Sequence, residues 1–296
     1  MTIFDKLVDS AMMNNDMNNI RTVVEKELLH HDIIREMSKG NLLKNLVFIG
    51  GTSLRACYGA QRLSEDLDFT GGFDFQKEDL EKLGQVISTR LKRKYNLKIS
   101  VTDPIREIGN TKTWKIKIIT NENKSIPAQK INIDICAIPS YQVQPMTLIN
   151  HYGVDMGTNG LIISVESREE ILVDKIIAFA FRSNKIKNRD LWDIAWLKQN
   201  NIKPSLKFLE QKIKNQNYEI DDFIQKVNIR LNEMKNSEEI KKSFEKEMTR
   251  FLPLKIVKTT LYQDGFWQYI QNQIEEEVKK SILFLSNKNN IKFKMQ

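Results

Sequence analysis

Cysteine is scarce: Cys57 and Cys136 are the only two in 296 residues, and they lack C-x-x-C spacing. That excludes a disulfide framework and a cysteine-based zinc site, and both thiols read as small buried hydrophobes. Histidine is equally sparse. His30, His31 and His151 would need carboxylates or a second chain to complete a zinc site, so zinc is not expected. No apolar run approaches the roughly 20 residues that span a bilayer. The opening stretch MTIFDKLVDSAMMNND has no basic n-region, long apolar core or small-residue cleavage site. No signal peptide is expected, and the chain reads as cytoplasmic and without membrane contact. Glycine is missing between Gly160 and Gly265, the other eleven of the twelve lying at or before Gly160. Turn-rich sheet structure therefore belongs in the first half, and glycine-poor helical packing in the second.

What is present describes an ordinary soluble chain, 41% hydrophobic and 28% charged, long enough for one large domain or two modest ones. A formal net charge of +8 permits a polyanionic partner without demanding one. LVFI (46–49) and DLDF (66–69) read as short strands, and LKISVTD, TWKIKIIT and KINIDICAI alternate in the strand period. Helices are expected from Asn18 to Lys39 and from Lys77 to Tyr95. Around Ser167 the texture changes: SREE offers a capping box, Ser167 as N-cap and Glu170 three residues on, opening a helical run. Further helices are expected at about 188–200, 204–216, 219–235, 237–249 and 267–285, with a frayed basic tail. The expected fold is α+β: a mixed sheet flanked by helices over residues 1–165, then a helical domain over 166–296 that closes a cleft.

The chemistry is carried by acids on strands. In SEDLDFTG, Leu67 and Phe69 point one way while Asp66 and Asp68 point the other, side by side. Two carboxylates that close repel unless a cation intervenes. An isolated D-x-D also suits the solvated face of an edge strand, so a second strand must decide. In KINIDICAI, Asp134 shares a face with Asn132 and Cys136, opposite Ile131, Ile133 and Ile135. An aspartate in a buried-looking strand is costly unless paired or bound to metal. Asp66, Asp68 and Asp134 could therefore surround one or two Mg²⁺ ions, with Mn²⁺ as an alternative, and such hard-oxygen sites are completed by substrate phosphates. In a two-metal arrangement, one ion activates the attacking hydroxyl and the other stabilises the leaving group.

Gly50 and Gly51 directly follow the LVFI strand and precede TSLRACYG, where a helix is expected to open near Thr52 or Ser53. Backbone N–H groups at a helix start attract phosphate, glycine lets a ligand approach the main chain, and the two hydroxyls add donors. The spacing is neither GxxxxGK[ST] nor GxGxxG, which excludes a P-loop and a dinucleotide fold.

Gly-Gly-Thr-Ser-Leu, a short helix ending in Tyr58-Gly59, and Arg62-Leu63-Ser64-Glu65-Asp66-Leu67-Asp68-Phe69 together resemble the signature of the AbiEii-type nucleotidyltransferases. These belong to the DNA polymerase β-like nucleotidyltransferase superfamily and include toxins of type IV toxin–antitoxin systems. The resemblance spans about Phe48 to Trp196, with fourteen residues between Gly51 and Asp66. A second block, EEILVDKIIAFAFRSNKIKNRDLWDIAWL, resembles the family's later motif of a helix lysine followed by Arg-Asp-x-x-Asp. The resemblance implies transfer of a nucleoside monophosphate from an NTP to an acceptor hydroxyl. It also implies an RNA acceptor, tRNA among the candidates, and a separately encoded antitoxin as a candidate partner. Gly50, Gly51, Thr52 and Ser53 would hold the triphosphate, and Arg62 would pair with Asp66 or touch phosphate.

Lys175 projects from an apolar helix face, between Ile171 and Leu172 one turn before and Ala178 and Phe179 one turn after. A lysine there wants an anion, and a triphosphate or leaving pyrophosphate would serve. Asp190 and Asp193 could orient Lys175 or Arg189, or simply suit a helix N-terminus. Trp192 and Trp196 read as core. Lys115 and Lys117 read as a solvated sheet face, and TRLKRKYNLK and SNKIKNR are candidate RNA-backbone contacts. Two rivals stand beside the leading reading: a non-catalytic nucleotide- or RNA-binding module, and a nucleotidyltransferase acting on a small molecule or a protein.

Overall fold

Alternating side chains that bury one face and wet the other build the sheet. The structure, a computed structural model, describes residues 2–13, 20–104, 110–120, 128–182 and 185–294, with side chains as far as 287. Among these, the first part of the chain forms α1 (Ile3–Met13), α2 (Arg21–Lys39), β1 (Val47–Ile49), α3 (Gly50–Tyr58), β2 (Leu67–Thr70) and α4 (Leu83–Tyr95). It continues with β3 (Lys98–Thr102), β4 (Thr111–Ile119), β5 (Gln129–Cys136), β6 (Val143–Thr147) and β7 (Ile162–Glu166). The seven strands lie in the order β3-β4-β5-β2-β1-β7-β6. β2 runs parallel to β5 and β1 parallel to β7, while the other neighbours are antiparallel. The fold is α+β with a mixed sheet.

Trp114, Ile116 and Ile118 of β4 and Ile131, Ile133 and Ile135 of β5 enter one hydrophobic core with Val24 and Leu28 of α2 and Leu83, Ile87 and Leu91 of α4. Lys115 and Lys117 stay exposed on the other face. β6 and β7 escape the period-2 reading. β6 is an open edge strand carrying Pro145, which cannot donate to a ladder and is tolerated only at an edge. The expected helix from Lys77 splits, a 3₁₀ turn at Lys77–Leu80 preceding α4, because Gln76 and Asp79 cap each other. Residues 18 and 19 of the expected first helix lie outside the described residues. Cys57 is buried, burial pushing its thiol up to about 12, whereas Cys136 is only partly covered, contrary to the expectation for both.

The chain divides into two compact units, Met1–Glu166 with Phe251–Leu254, and Ser167–Arg250 with Lys255–Gln296. The short return to the first unit is made where Leu63 donates its N–H to the Phe251 carbonyl at 2.9 Å. The second unit holds α5 (Arg168–Phe181), α6 (Asn188–Gln199), α7 (Leu209–Asn215), α8 (Ile220–Asn236) and α9 (Glu238–Met248). A short α10 (Leu254–Ile256) then leads to α11 (Phe266–Lys294). Ser167 caps α5 by accepting the Glu170 N–H at 3.2 Å. The Glu170 carboxylate meets the buried Lys212 at 2.7 Å, which tethers α5 to α7. Trp192 packs on Phe266. The tail from residue 286, expected to fray, continues α11 to Lys294. No helix among the described residues is long and apolar enough to cross a membrane.

Candidate active site

β2 and β5 are parallel neighbours in a register that sets Asp68 beside Asp134. In-register residues on adjacent strands share a face, about 5 Å apart. Leu67, Phe69, Ile133 and Ile135 fill the core, so both carboxylates stand on the opposite, partly open face. Asp66 precedes β2 by one residue, and its Oδ1 accepts the Asn132 N–H of β5 at 3.0 Å. Among the described residues, no three or more His, Cys, Asp or Glu side chains stand close enough together to hold a metal. The expected trio is therefore not preassembled: Asp68 and Asp134 are side by side, while Asp66 is turned to a backbone amide. Two carboxylates are what Mg²⁺ commonly takes from a protein when substrate phosphates supply further ligands, so the pair fits that ion.

The glycine turn meets this pair. Ile49, the last residue of β1, lies across from Asp68, and Gly50 follows with φ +75°. The conformation requires glycine, and a Cβ on Gly50 would stand 3.0 Å from Asp68 Oδ2, pressing on that carboxylate. Ile49 is the N-cap of α3 and has no side-chain acceptor to offer the first-turn N–H groups. A phosphate drawn to that helix start would lie beside the Asp68 carboxylate. The two anions repel unless a divalent cation sits between them.

Thr52, Ser53 and Arg62 differ from expectation. The Thr52 hydroxyl bonds the Ser64 hydroxyl at 2.6 Å and the Asp66 carbonyl, and the Ser53 hydroxyl donates to the Gly50 carbonyl at 2.8 Å. Arg62 is buried and donates to the Leu63 carbonyl at 2.8 Å. These groups face into the protein, and Thr52 fastens the loop that delivers Asp66.

Sequence reasoning missed the support beneath α3. Glu27 of α2 accepts from Arg55 Nε at 3.1 Å, from the Ser64 N–H at 2.9 Å and from the Tyr152 hydroxyl. Burial pushes the Glu27 carboxyl up, but the Arg55 charge and these hydrogen bonds outweigh it and hold the group below its ordinary value. Neighbouring Lys26 pairs with Glu65 at 2.7 Å, and His30 Nε2 meets the Glu65 carbonyl at 3.0 Å. The available signal was the run of Glu25, Glu27, His30, His31 and Asp32 set among the apolar positions of a single helix.

His30, His31 and His151 line a cavity of about 20 Å³ with Glu27 and Arg55, room for one water. Burial drives His31 down to about 4, with Glu27 opposing and His30, His151 and Arg55 adding to the fall. The unfolded chain takes up its proton near pH 6.5 and the folded chain only near 4, so stability is lost as pH drops through that window. His31 alone accounts for about 3 kcal/mol of the loss. Urea midpoints at pH 7.5 and pH 4.5 should differ accordingly, and His31→Gln should flatten the dependence. An unchanged slope in that variant contradicts the assignment.

In the second unit, Lys175 Nζ lies 2.6 Å from Asp190 Oδ1 and 2.9 Å from Asp193 Oδ2, and Arg182 Nε lies 3.1 Å from Asp190 Oδ2. Burial raises the Asp190 carboxyl, yet the Lys175 and Arg182 charges hold it well below the carboxylate range. Arg189 lies 3.3 Å from Glu247.

A family model described as "Nucleotidyl transferase AbiEii toxin, Type IV TA system" matches residues 32–272, from within α2 to within α11. No curated protein matches the chain. Among solved structures, JHP933 from Helicobacter pylori is 17% identical at a TM-score of 0.47, covering 90% of this chain and 98% of its own. A second H. pylori protein, provisionally described as a nucleotidyltransferase, is 18% identical at a TM-score of 0.46, covering 86% and 96% respectively.

Proposed function

Because the chain belongs to the AbiEii family of nucleotidyl transferase toxins of type IV toxin–antitoxin systems, we propose that it transfers a nucleoside monophosphate from an NTP to a hydroxyl of an RNA acceptor, releasing pyrophosphate. tRNA is the leading acceptor, and a separately encoded antitoxin is the expected partner. The observation that carries the reading is the meeting of the Gly50 turn with Asp68, itself in register with Asp134. Asp68 and Asp134 would hold the cation, Mg²⁺ or Mn²⁺. When bound, that ion lowers the pKa of the attacking hydroxyl and neutralises charge on the leaving pyrophosphate. Gly50 and Gly51 admit the triphosphate to the backbone at the start of α3, and Asp66, which holds the Asn132 N–H in the free protein, would turn to complete the acidic face when the ion binds. Thr52, with Glu27 and Arg55 beneath, keeps the Asp66 loop and α3 in one geometry. Lys175, expected as a further cation for phosphate, is held within the second unit by Asp190 and Asp193.

The rival, a binding module without turnover, draws on the absence of a ready-made three-carboxylate group among the described residues. Offering each labelled NTP in turn with Mg²⁺ to the purified protein, total RNA and cell extract separates the two. Label should enter RNA and be lost with Asp66→Ala. Tight NTP binding without transfer to any acceptor, under Mg²⁺ or Mn²⁺, overturns the proposal in favour of the module.

A further inference from the structure

Six cationic side chains, Arg182, Lys185, Lys187, Arg189, Lys246 and Arg250, line one hollow of about 550 Å³ within the second unit. They come from the end of α5, the segment leading into α6, α6 itself, and α9 with the residues after it, so folding brings Lys246 and Arg250 to a basic run that the sequence already holds together. Like charges so gathered repel, and the carboxylates at hand are engaged. Glu247 is met by Arg189 at 3.3 Å and by the Asn188 amide at 2.9 Å, and Asp190 is met by Lys175 and Arg182. The Lys187 ammonium registers the crowding. Burial lowers it first, Arg182 lowers it further, Asp190 opposes, and Arg189 and Lys175 add to the fall.

An anion relieves this repulsion, and the lining says which kind. Among the described residues no aromatic side chain lines the hollow to offer a base a stacking partner, whereas a phosphodiester backbone needs only spaced cations. A second hollow of about 230 Å³ shares Arg182 and adds Lys226 and Arg230. The basic track is therefore longer than one hollow, which suits a strand with successive phosphates better than a compact triphosphate. The Phe181 ring in the second hollow already stacks on Tyr218 at 3.7 Å.

We propose that these two hollows bind the phosphate backbone of an RNA strand. The inference rests on the reading of RNA as acceptor, but its test does not need catalysis. Binding of labelled bulk tRNA to the Asp66→Ala protein is measured without nucleotide, from 50 to 200 mM salt, beside the same protein carrying Lys185→Glu and Lys246→Glu. Both lysines are exposed, so the fold should tolerate the change. Affinity for tRNA should fall more than about tenfold, and the plot of log affinity against log salt should become shallower by roughly 1 to 2. Lys115→Glu with Lys117→Glu, an equal charge change on the exposed face of β4, should alter neither. Equal loss in both pairs makes the effect one of bulk charge and overturns the proposal, as does no loss in either. A parallel loss of affinity for inorganic tripolyphosphate makes the hollow a triphosphate pocket and also overturns it. Weakened tRNA binding in a protein whose wild type labels no RNA leaves this proposal standing and sinks only the transferase reading.

Discussion

Asp68→Asn lowers nucleotidyl transfer on the order of 10³-fold or more, while the melting temperature in metal-free buffer holds or rises. The substitution keeps shape and removes one negative charge from a pair that the β2–β5 register forces together. In the free protein that charge is a liability, because two carboxylates on one face repel. On the proposed reading it becomes useful only with a cation and a triphosphate present, so its loss should appear in transfer and not in folding. The opposed signs discriminate between roles, since a residue that merely maintained the fold would lose stability and activity together. Single-turnover transfer and a thermal scan, each with and without Mg²⁺, make the comparison. A variant that melts several degrees lower and keeps its activity removes Asp68 from the chemistry.

Lys175→Met destabilises the folded chain by about 3–5 kcal/mol. The ammonium is buried between Asp190 and Asp193, each within 2.9 Å, and its removal leaves buried negative charge that the more exposed Arg182 and the nearby Lys187 offset only in part. Replacing Asp190 by Asn in the same chain should recover part of the loss, because it removes a charge that no longer has its partner. Urea unfolding followed by circular dichroism reads both. A cost below about 1 kcal/mol in the single variant, or no recovery in the double, rejects the ion cluster as a structural clasp.

The legible parts of this chain were those with short-range signals. β4 and β5 show themselves because one face is buried and the period is two, and α5 because Ser167 stands three residues before Glu170. Asp68 and Asp134 were legible as acids on strands, whereas Asp66, expected on the same strand, stands one residue before it. Their grouping depends on register, which sets Asp68 against Asp134 and leaves Asp66 within reach of the Asn132 amide. The Thr52 and Ser53 hydroxyls look open in a string of letters, and the loop through Ser64 and Asp66 turns Thr52 inward. Glu27 was invisible as a support because its partners, Arg55, Ser64 and Tyr152, lie far along the chain and a buried charge has no period. The basic hollow was half legible: SNKIKNR flagged Lys185, Lys187 and Arg189, with Ser183 and Asn184 outside the described residues. Lys246 and Arg250 gave no sign that they would join the others.

A divalent ion on the Asp68–Asp134 pair at the glycine turn is the one component the proposed chemistry cannot do without. Crystals grown with Mn²⁺ and a non-hydrolysable NTP analogue, measured at a wavelength where manganese scatters anomalously, test it most directly. The account predicts an anomalous peak within coordinating distance of both carboxylates and of a phosphate oxygen, with the triphosphate at the start of α3. A bound nucleotide whose manganese lies away from Asp68 and Asp134, or whose phosphates lie away from Gly50 and Gly51, contradicts it.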